Sequence, residues 1–377
     1  MRFAEIKLLM EGEARIQHAE DIIYWEGSKG AMRVLNSLKN LEKKGHQDVT
    51  IKWDGSPAVI FGRNENGDFV FTDKSGFDAK GYDGRTTSAD AVRQMFLNRS
   101  GGSKRNDPNQ IAFSNAMADL YNQFELIVPD DHRGYFKGDL LYSKTPKLSD
   151  GNYVFTPNIV TYTVDADSDL GKKIGRSDAG VVLHRAIDFE GNEEPIKDTS
   201  MFTGENVLVV PPITVEQPAT KVSSAVSKLE SIVKQNAGGI DDLLNKEQLR
   251  LNKMSDFSKI LYKYTNNKVD TGLSNMGADF FDWLENQNSI SAVKKQRIGE
   301  YVQQHKEGWK SLWKTVSAIM QIKDKIIAQF DAQKGTVSQS IDGFGKGGEG
   351  YVLASPDGDI KLVPRATFTA ANRAKTR

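Results

Sequence analysis

The stretch VTIKWDGSPAVIF, residues 49–61, decides how this chain is interpreted, because a strand pattern changes into a tight turn directly after a lysine. Lys52 ends an apolar, β-branched run, and the Asp54-Gly55 pair that follows is among the commonest sequences in tight turns. A lysine that is held at the mouth of a pocket, partly removed from water and flanked by charges, can act as an amine nucleophile. Lys52 is therefore the first candidate for a reactive residue.

The length and composition are those of a soluble globular protein. A chain of 377 residues suggests one large domain with an insertion, or two to three ordinary domains. Hydrophobic residues make up 38% and charged residues 27%, which is enough apolar material for a core. Lys+Arg and Asp+Glu number 50 each, so the formal net charge is zero. This balance argues against a nucleic-acid coat protein but permits a local basic groove.

Several classes of site and location are excluded or disfavoured by the residues present. The chain has no cysteine, which excludes disulfides, zinc–thiolate sites, iron–sulfur clusters and thiol catalysis. Its five histidines are scattered without metal-ligand spacing. No apolar run has the length needed to span a bilayer, and the first residues lack a signal-peptide pattern. We therefore expect a cytoplasmic protein without a membrane partner, located in the host cytoplasm if a phage encodes it.

Hydrophobic periodicity predicts alternating helical and strand segments in the first half of the chain. Residues 1–47 have a helical pattern that is interrupted near Gly27 and Gly30. Two strands between residues 49 and 73 are joined by Asn-Glu-Asn-Gly-Asp at 64–68, a strong hairpin signal. Helices are then predicted at 89–97 and 110–124, and strands at 135–142, 153–155, 158–164, 180–184 and 206–210.

The second half predicts a helical insertion followed by a return to strands. Residues 219–333 are lysine-rich, proline-free and helical in period. A last hairpin follows, with Pro-Asp-Gly-Asp at 356–359 as its turn. The predicted fold class is therefore α+β: an antiparallel-sheet domain with an inserted all-α helical domain. The expected segments are 1–48 (helical, packed on the core), 49–214 (core, first part), 215–335 (helical insertion) and 336–377 (core, second part).

Charged residues with possible chemical roles follow Lys52 in order along the chain. Lys74, after the second strand, could neutralise phosphate. Asp139 lies within an apolar strand pattern, where an acid needs a hydrogen-bond partner, a metal or a ligand hydroxyl. Each of these residues is ordinary when taken alone. For Asp139, an edge strand on which its side chain faces water is an equally good explanation.

The last pair of charged residues lies on the C-terminal hairpin. Glu349-Gly350 begins one strand, and Lys361 lies on the strand predicted to pair with it. A carboxylate and a lysine so placed can face the same pocket, where they would bind Mg²⁺ and an α-phosphate. The glycine-rich stretch at 345–350 precedes a strand and lacks a Gly-Lys-Ser/Thr ending, so it is not a P-loop.

The ordered set of short motifs resembles the covalent nucleotidyltransferase superfamily of ATP-dependent DNA ligases, RNA ligases and mRNA-capping enzymes. The segments similar to its motifs I, Ia, III, IV and V are Lys52-Trp53-Asp54-Gly55, Lys74-Ser75-Gly76, Gly138-Asp139-Leu140-Leu141, Glu349-Gly350-Tyr351-Val352 and Lys361-Leu362-Val363. The resemblance is closest to phage-type RNA ligases and covers residues 49–210 and 340–365. It implies an antiparallel-sheet nucleotidyltransferase (ATP-grasp-like ligase) domain.

The resemblance also implies a role for each matching residue. Lys52, Glu349 and Lys361 would be catalytic, with Lys52 as the adenylated nucleophile and Lys361 at the α-phosphate. Glu349 and Asp139 would hold the metal, and Asp139 would also lie beside the ribose. The remaining nucleotide-binding candidates are Asp54 and Gly55 in the turn, Lys74, Arg63 as the first arginine after motif I, and Tyr162 as the ring stacked on the purine.

Four departures from the family pattern are evident. Ser56-Pro57-Ala58 stands where DNA ligases place an arginine, motif III has Asp139 instead of glutamate, and Val363 replaces a second lysine. Only about a dozen residues follow motif V, and the helical segment lies before motif IV. A competing motif IV, Ser-Asp-Ala-Gly-Val-Val at 177–182, lacks the Glu-Gly pair.

The leading hypothesis is an ATP-dependent polynucleotide ligase that uses Mg²⁺ or Mn²⁺ and acts on RNA in preference to DNA. The helical segment 215–335 carries interleaved lysines and aromatic residues that could hold the nucleic acid, although a solvated lysine face over an aromatic core explains most of them. The alternatives are nucleotidyl transfer to another acceptor, as in capping or protein modification, a non-catalytic nucleotide- or nucleic-acid-binding relative, and a structural protein with ordinary Asp-Gly hairpins.

Overall fold

The chain divides into two units whose segments alternate along the sequence. The first unit is Met1–Ile51, Thr214–Gln333 and Glu349–Arg377, and the second is Lys52–Ile213 and Lys334–Gly348. The computed structural model describes residues 17–41, 49–78, 85–196, 198–210, 222–268, 276–332, 337–341, 345–355 and 358–376. Residues 1–16 and 42–48 of the predicted N-terminal segment, and the first half of the 356–359 turn, lie outside these ranges.

Strands and helices occur together, and most strand pairs are antiparallel, which confirms the α+β class. In chain order the strands are β1 (Gln17–His18), β2 (Val49–Ile51), β3 (Ala58–Arg63), β4 (Phe69–Asp73), β5 (Gly134–Tyr142), β6 (Lys147–Ser149), β7 (Asn152–Phe155), β8 (Val160–Asp165), β9 (Ala179–Ile187), β10 (Glu193–Pro195), β11 (Val207–Val210), β12 (Val337–Ile341), β13 (Gly345–Lys346), β14 (Tyr351–Leu353) and β15 (Ile360–Leu362).

The helices are α1 (Ile23–Asn40), α2 (Lys74–Phe77), α3 (Ala89–Leu97), α4 (Pro108–Glu125), α5 (Asp169–Ile174), α6 (Ser223–Leu243), α7 (Lys246–Leu251), α8 (Phe257–Lys268), α9 (Phe280–Glu285), α10 (Ala292–Gln304), α11 (Lys306–Asp331) and α12 (Arg365–Thr376). The predicted helices at 89–97, 110–124 and within 219–333 are confirmed. The C-terminal helix α12 has no counterpart in the sequence-based expectation.

The second unit contains two sheets. The larger has the order β10-β9-β5-β3-β4, with β11 also paired to β9, and the other has the order β13-β12-β8-β7-β6. Strand β12 follows the helical segment in sequence and pairs with β8, Val337 opposite Val164 and Ile341 opposite Val160. The chain therefore re-enters the second unit after the helical segment.

The β3–β4 hairpin is the one that the sequence predicts, and its turn shows why it forms. The side-chain Oδ1 of Asn64 accepts hydrogen bonds from the backbone N–H of Asn66 at 3.0 Å and of Asp68 at 2.9 Å. Gly67 adopts a φ of 91°, which is strained for any residue with a side chain. These local contacts fix the register of β3 against β4.

The first unit combines a four-stranded sheet, in the order β1-β15-β14-β2, with the helices α1 and α6–α12. Helix α6 packs against α1 and α11, and the apolar faces of these helices form one core with the buried residues of the sheet. The N-terminal segment and most of the C-terminal segment, both expected to belong with the sheet core, thus share one unit with the helical segment. Within the described ranges, no helix has the length and apolar character needed to cross a membrane.

Helix α1 has the break that its glycines predict. Gly27 has a φ of 61°, and a Cβ at this position would lie 2.6 Å from Oδ1 of Asp241. That carboxylate accepts the backbone N–H of Ser28 at 2.8 Å and the Ser28 hydroxyl at 2.6 Å. Asp241 of α6 therefore caps the part of the helix that follows the break.

Four fully buried charged residues tie the N-terminal segment of the first unit to its helices. Glu20 accepts hydrogen bonds from Nζ of Lys323 at 2.8 Å and from the guanidinium of Arg365 at 3.1 Å. Arg365 also donates to Asp21 at 2.8 Å and to Asn266. Burial acts to raise the pKa of Glu20, but the charges of Lys323 and Arg365 hold it well below its usual range. Glu20 therefore remains ionised in the interior.

We expect the Arg365→Ala substitution to lower the free energy of unfolding by about 3–5 kcal/mol, since it leaves two buried carboxylates without their shared guanidinium. Chemical denaturation of the full chain measures this change. Lys234→Ala, which removes a lysine paired with Glu230 on the surface of α6, is the control and is expected to change stability little. Equal, small changes in both variants would contradict a structural role for the buried cluster.

Candidate functional site

The predicted nucleophile Lys52 directly follows β2, and a turn then leads into β3. Lys52 is half-buried, and the next two residues are buried. Strand β2 pairs with β14 in an antiparallel arrangement that places Ile51 opposite Tyr351. The lysine thus follows a strand that is fixed in the sheet of the first unit.

The turn after Lys52 is held rigidly by buried aromatic and polar contacts. The Trp53 ring is 2% exposed and stacks on Phe155, with 6.4 Å between the ring centroids. The backbone N–H of Asp54 donates to the Tyr162 hydroxyl at 2.5 Å. The Asp54 carboxylate accepts from the Asn158 side chain at 3.0 Å. These hydrogen bonds join Asp54 to Tyr162 and Asn158, which lie outside the turn, and they fix the conformation of the turn.

Gly55 allows this turn to lie directly on strand β5. A Cβ at Gly55 would lie 2.6 Å from Cβ of Asp139 and 2.8 Å from the carbonyl oxygen of Leu140. The backbone N–H of Ser56 also donates to that carbonyl at 2.9 Å. Any side chain at position 55 would push the turn away. The structure therefore brings two predicted site elements, the Lys52–Gly55 turn and Asp139, into contact.

Asp139 is half-buried and has a histidine partner that the sequence analysis did not select. Its Oδ2 lies 3.0 Å from Nε2 of His184 on β9. The two residues meet because β5 pairs with β9, where Asp139 is opposite Val182. No local pattern indicates this register, so the sequence offers no signal for the pair. An acid and an imidazole so arranged can accept hydrogen bonds from the hydroxyl groups of a ligand and can donate hydrogen bonds to them.

Two other predicted ligand-binding residues have structural partners in the second unit. The Tyr162 ring is 0% exposed and packs against Trp53 at 4.5 Å between ring centroids. The Arg63 guanidinium is buried and donates to the carbonyl oxygens of Pro129 at 3.0 Å and Val128 at 3.2 Å. In this arrangement Tyr162 supports the turn after Lys52, and Arg63 anchors the turn end of the β3–β4 hairpin.

Lys74 is the first residue of α2 and is exposed. The preceding residue, Asp73, caps this short helix by accepting the N–H of Gly76 at 2.9 Å. Asp73 also pairs with Arg99 through both carboxylate oxygens. The N-terminus of α2 is therefore fixed, while the Lys74 side chain extends from it into solvent.

The two remaining predicted catalytic residues lie in the first unit. Glu349 is half-buried and precedes Gly350, whose φ is 113° and whose Cβ, if present, would lie 2.1 Å from the carbonyl oxygen of Leu362. Lys361 is the central residue of β15, opposite Val352 of β14. Its neighbours Ile360 and Leu362 are 0% exposed. Side chains alternate along a strand, so Lys361 points away from the core.

His18 is a second histidine that the sequence analysis did not select. Strand β1 runs parallel to β15 and places His18 beside Lys361. The Nδ1 atom of His18 is buried and has no hydrogen-bond partner within the described part of the chain. Burial and the positive charge of Arg365 lower the pKa of His18 well below its ordinary value. His18 is therefore a neutral neighbour of Lys361, and a strand of two residues leaves no periodic signal to predict it.

In the second unit the Lys52–Gly55 turn contacts Asp139, which pairs with His184. In the first unit Glu349 precedes β14, and Lys361 lies on β15 beside His18. Arg365, two residues after Val363, is 4% exposed and bound in the buried ion cluster. Among the residues that the structure describes, no three acidic or histidine side chains are grouped so that they could hold a metal ion.

We expect Tyr162→Phe to destabilise the protein by about 1–3 kcal/mol, because the buried N–H of Asp54 loses its acceptor. Thermal unfolding followed by tryptophan fluorescence measures this change. Tyr153→Phe on the neighbouring strand β7 is the matched control, since that residue is only half-buried. If both variants unfold at the wild-type temperature, the hydroxyl of Tyr162 does not hold the turn.

Comparison with known proteins gives a family but no characterised relative. No curated protein and no solved structure matches the chain. The model of the Family of unknown function (DUF6267) matches residues 13–377. That match covers nearly the whole sequence, and the chain therefore belongs to the Family of unknown function (DUF6267).

Proposed function

We propose that this protein is an ATP-dependent nucleotidyltransferase in which Lys52 carries AMP, and that it joins 5′-phosphate and 3′-hydroxyl ends of a polynucleotide, RNA in preference to DNA. One observation carries the proposal. Strands β2, β14 and β15 are neighbours in one sheet. Strand β2 leads into Lys52, β14 follows Glu349-Gly350, and β15 carries Lys361. The segment that begins at Lys52 is thus connected through adjacent strands to the two C-terminal segments, which are far from it in sequence.

The geometry of the turn after Lys52 supports the same proposal. A covalent catalyst needs a nucleophile whose backbone is held in place before the substrate binds. The contacts of Trp53, Asp54 and Gly55 provide that rigidity without using the lysine side chain. Asp139, which touches the turn, supplies a carboxylate for ribose hydroxyls.

The proposed first step is attack of the Lys52 amine on the α-phosphorus of ATP. A phosphorus–nitrogen bond forms, the bond to the bridging oxygen breaks, and pyrophosphate leaves with the electron pair while the amine releases its proton to solvent. The AMP group then passes to a 5′-phosphate, and a 3′-hydroxyl displaces AMP. Lys361 would offset negative charge at the α-phosphate during the first step.

Mg²⁺ would be the divalent ion of this reaction. Carboxylate oxygens are the ligands that Mg²⁺ prefers, and one or two carboxylates commonly hold it together with nucleotide phosphates. Asp139 of the second unit and Glu349 of the first unit are both half-buried acids, and each is proposed as a ligand on the chemistry of its carboxylate. Bound Mg²⁺ would neutralise phosphate charge.

The first test follows transfer of label from α-³²P-ATP to the protein. We expect a labelled protein band for the wild type and none for Lys52→Ala, because the attachment atom is removed. Lys147→Ala removes an exposed lysine of β6 in the same unit and is expected to label like the wild type. Equal labelling of Lys52→Ala would exclude this residue as the attachment site, and a preference for GTP would favour a capping-type enzyme.

A second test addresses Lys361. We expect Lys361→Ala to slow AMP attachment by about 10²-fold, the scale for losing one donor to a developing charge, while the free energy of unfolding changes little because the side chain points away from the core. Single-turnover labelling measures the rate. An unchanged rate would remove Lys361 from the proposed mechanism, and partial recovery in Lys361→Arg would support a requirement for positive charge.

A further inference from the structure

A cavity of about 400 Å³ opens on the helical part of the first unit. It lies between the start of the segment that leads into α9 and the N-terminal half of α11. Its lining consists of Met276, Gly277, Ala278, Trp309, Lys310, Trp313, Lys314 and Ser317. Neither the proposed attachment lysine nor any other residue of the candidate site takes part in it.

The walls of this cavity are aromatic and held by further rings. Trp309 and Trp313 lie one turn apart on α11, with their ring centroids 5.3 Å apart at 79°. Phe280 packs against Trp309 at 4.8 Å, and Tyr264 packs against Trp313 at 5.3 Å. Rings that are packed in this way are preorganised surfaces for a flat ligand, since little side-chain freedom is lost on binding.

Gly277 packs directly on the indole of Trp313 in one wall of the cavity. Its φ is 87°, and a Cβ at this position would lie only 2.2 Å from the Trp313 ring. Any larger residue would therefore displace the ring. The close approach of the backbone thus fixes the position of the Trp313 ring.

The rim of the cavity is positively charged. Lys310 and Lys314 are exposed and lie one helical turn apart, and no acidic residue belongs to the lining. Lys310 contacts Glu307 at 2.9 Å, but both side chains are more than two-thirds exposed, so the pair is readily exchanged for another anion. The cavity thus combines aromatic walls with two cations at its mouth.

We infer that this cavity binds a base of single-stranded nucleic acid, with an adjacent phosphate at Lys310 and Lys314. The half-buried Trp309 ring and the two exposed lysines match two parts of a nucleotide: its flat face and its phosphate. Stacking of one base on an aromatic residue contributes about 1–3 kcal/mol and accepts any base. This inference rests on the proposed function for its choice of substrate and names the place where the polynucleotide is held.

The test measures binding of fluorescein-labelled oligo(U) and oligo(dT) to the full chain without ATP. We expect Trp309→Ala to weaken binding by about tenfold, from loss of one stacking surface. Lys310→Ala/Lys314→Ala should weaken it and reduce the slope of log affinity against log salt by about 1.4, since two phosphate contacts on a single strand are lost. The lysine pair is exposed, so this variant does not depend on the core for folding.

Lys228→Ala/Lys234→Ala on α6 is the matched control, because it removes two exposed lysines of the same unit, one of them in an exposed ion pair. It should retain the wild-type affinity and salt slope. Absence of oligonucleotide binding, equal loss in the control, or full affinity in both cavity variants would overturn the inference.

Label transfer from ATP separates this inference from the proposed function. The cavity variants should still attach AMP, since that step needs only ATP. Oligonucleotide binding without AMP attachment would defeat the proposed function and leave the cavity site in place. AMP attachment without oligonucleotide binding would have the opposite meaning.

Discussion

The pairing of β14 with β2 is the constraint on which the proposed chemistry depends. It joins Tyr351 to Ile51 in register, across an interval of sequence that contains the whole second unit and the helical segment. Its position is fixed on the core side, where the Tyr351 ring packs on Phe330 and its hydroxyl donates to Asp331 at 2.7 Å. Without this pairing, the strand that carries Lys361 would not be linked through the sheet to the strand that ends before Lys52.

Glycine at two positions is required by close approaches of the backbone. Gly350 brings β14 against the end of β15, and Gly55 brings the turn after Lys52 against Asp139. In both places a Cβ would collide with neighbouring atoms, so the motif glycines are explained by packing alone. The charged residues beside them are not explained in this way. Lys361 points away from its core, and Glu349 and Lys52 are only half-buried.

Much of the fold could be predicted from local patterns, because hydrophobic period and turn chemistry are local properties. The β3–β4 hairpin follows from Asn64 and Gly67, and the helices of the lysine-rich segment follow from their apolar period. Pairings between distant strands leave no such trace. The contact of Asp139 with His184, the neighbourhood of His18 and Lys361, and the return of β12 to β8 all depend on them.

The roles of polar residues were harder to predict than the elements that carry them. Tyr162 and Arg63 have residue types suited to a nucleotide, but their burial and hydrogen bonds assign them to the support of the turn and of the hairpin. Arg365 likewise holds a buried ion cluster. A sequence shows which side chains can bind a ligand, whereas only packing shows which of them already have a partner.

The proposed function depends on a covalent bond between the side-chain nitrogen of Lys52 and AMP. Tandem mass spectrometry of peptides from the wild-type protein, after incubation with ATP and Mg²⁺, tests it most directly. We expect a single AMP adduct on the peptide that contains Lys52, with fragment ions placing it on that side chain. An adduct on another residue, or none with either Mg²⁺ or Mn²⁺, would contradict it.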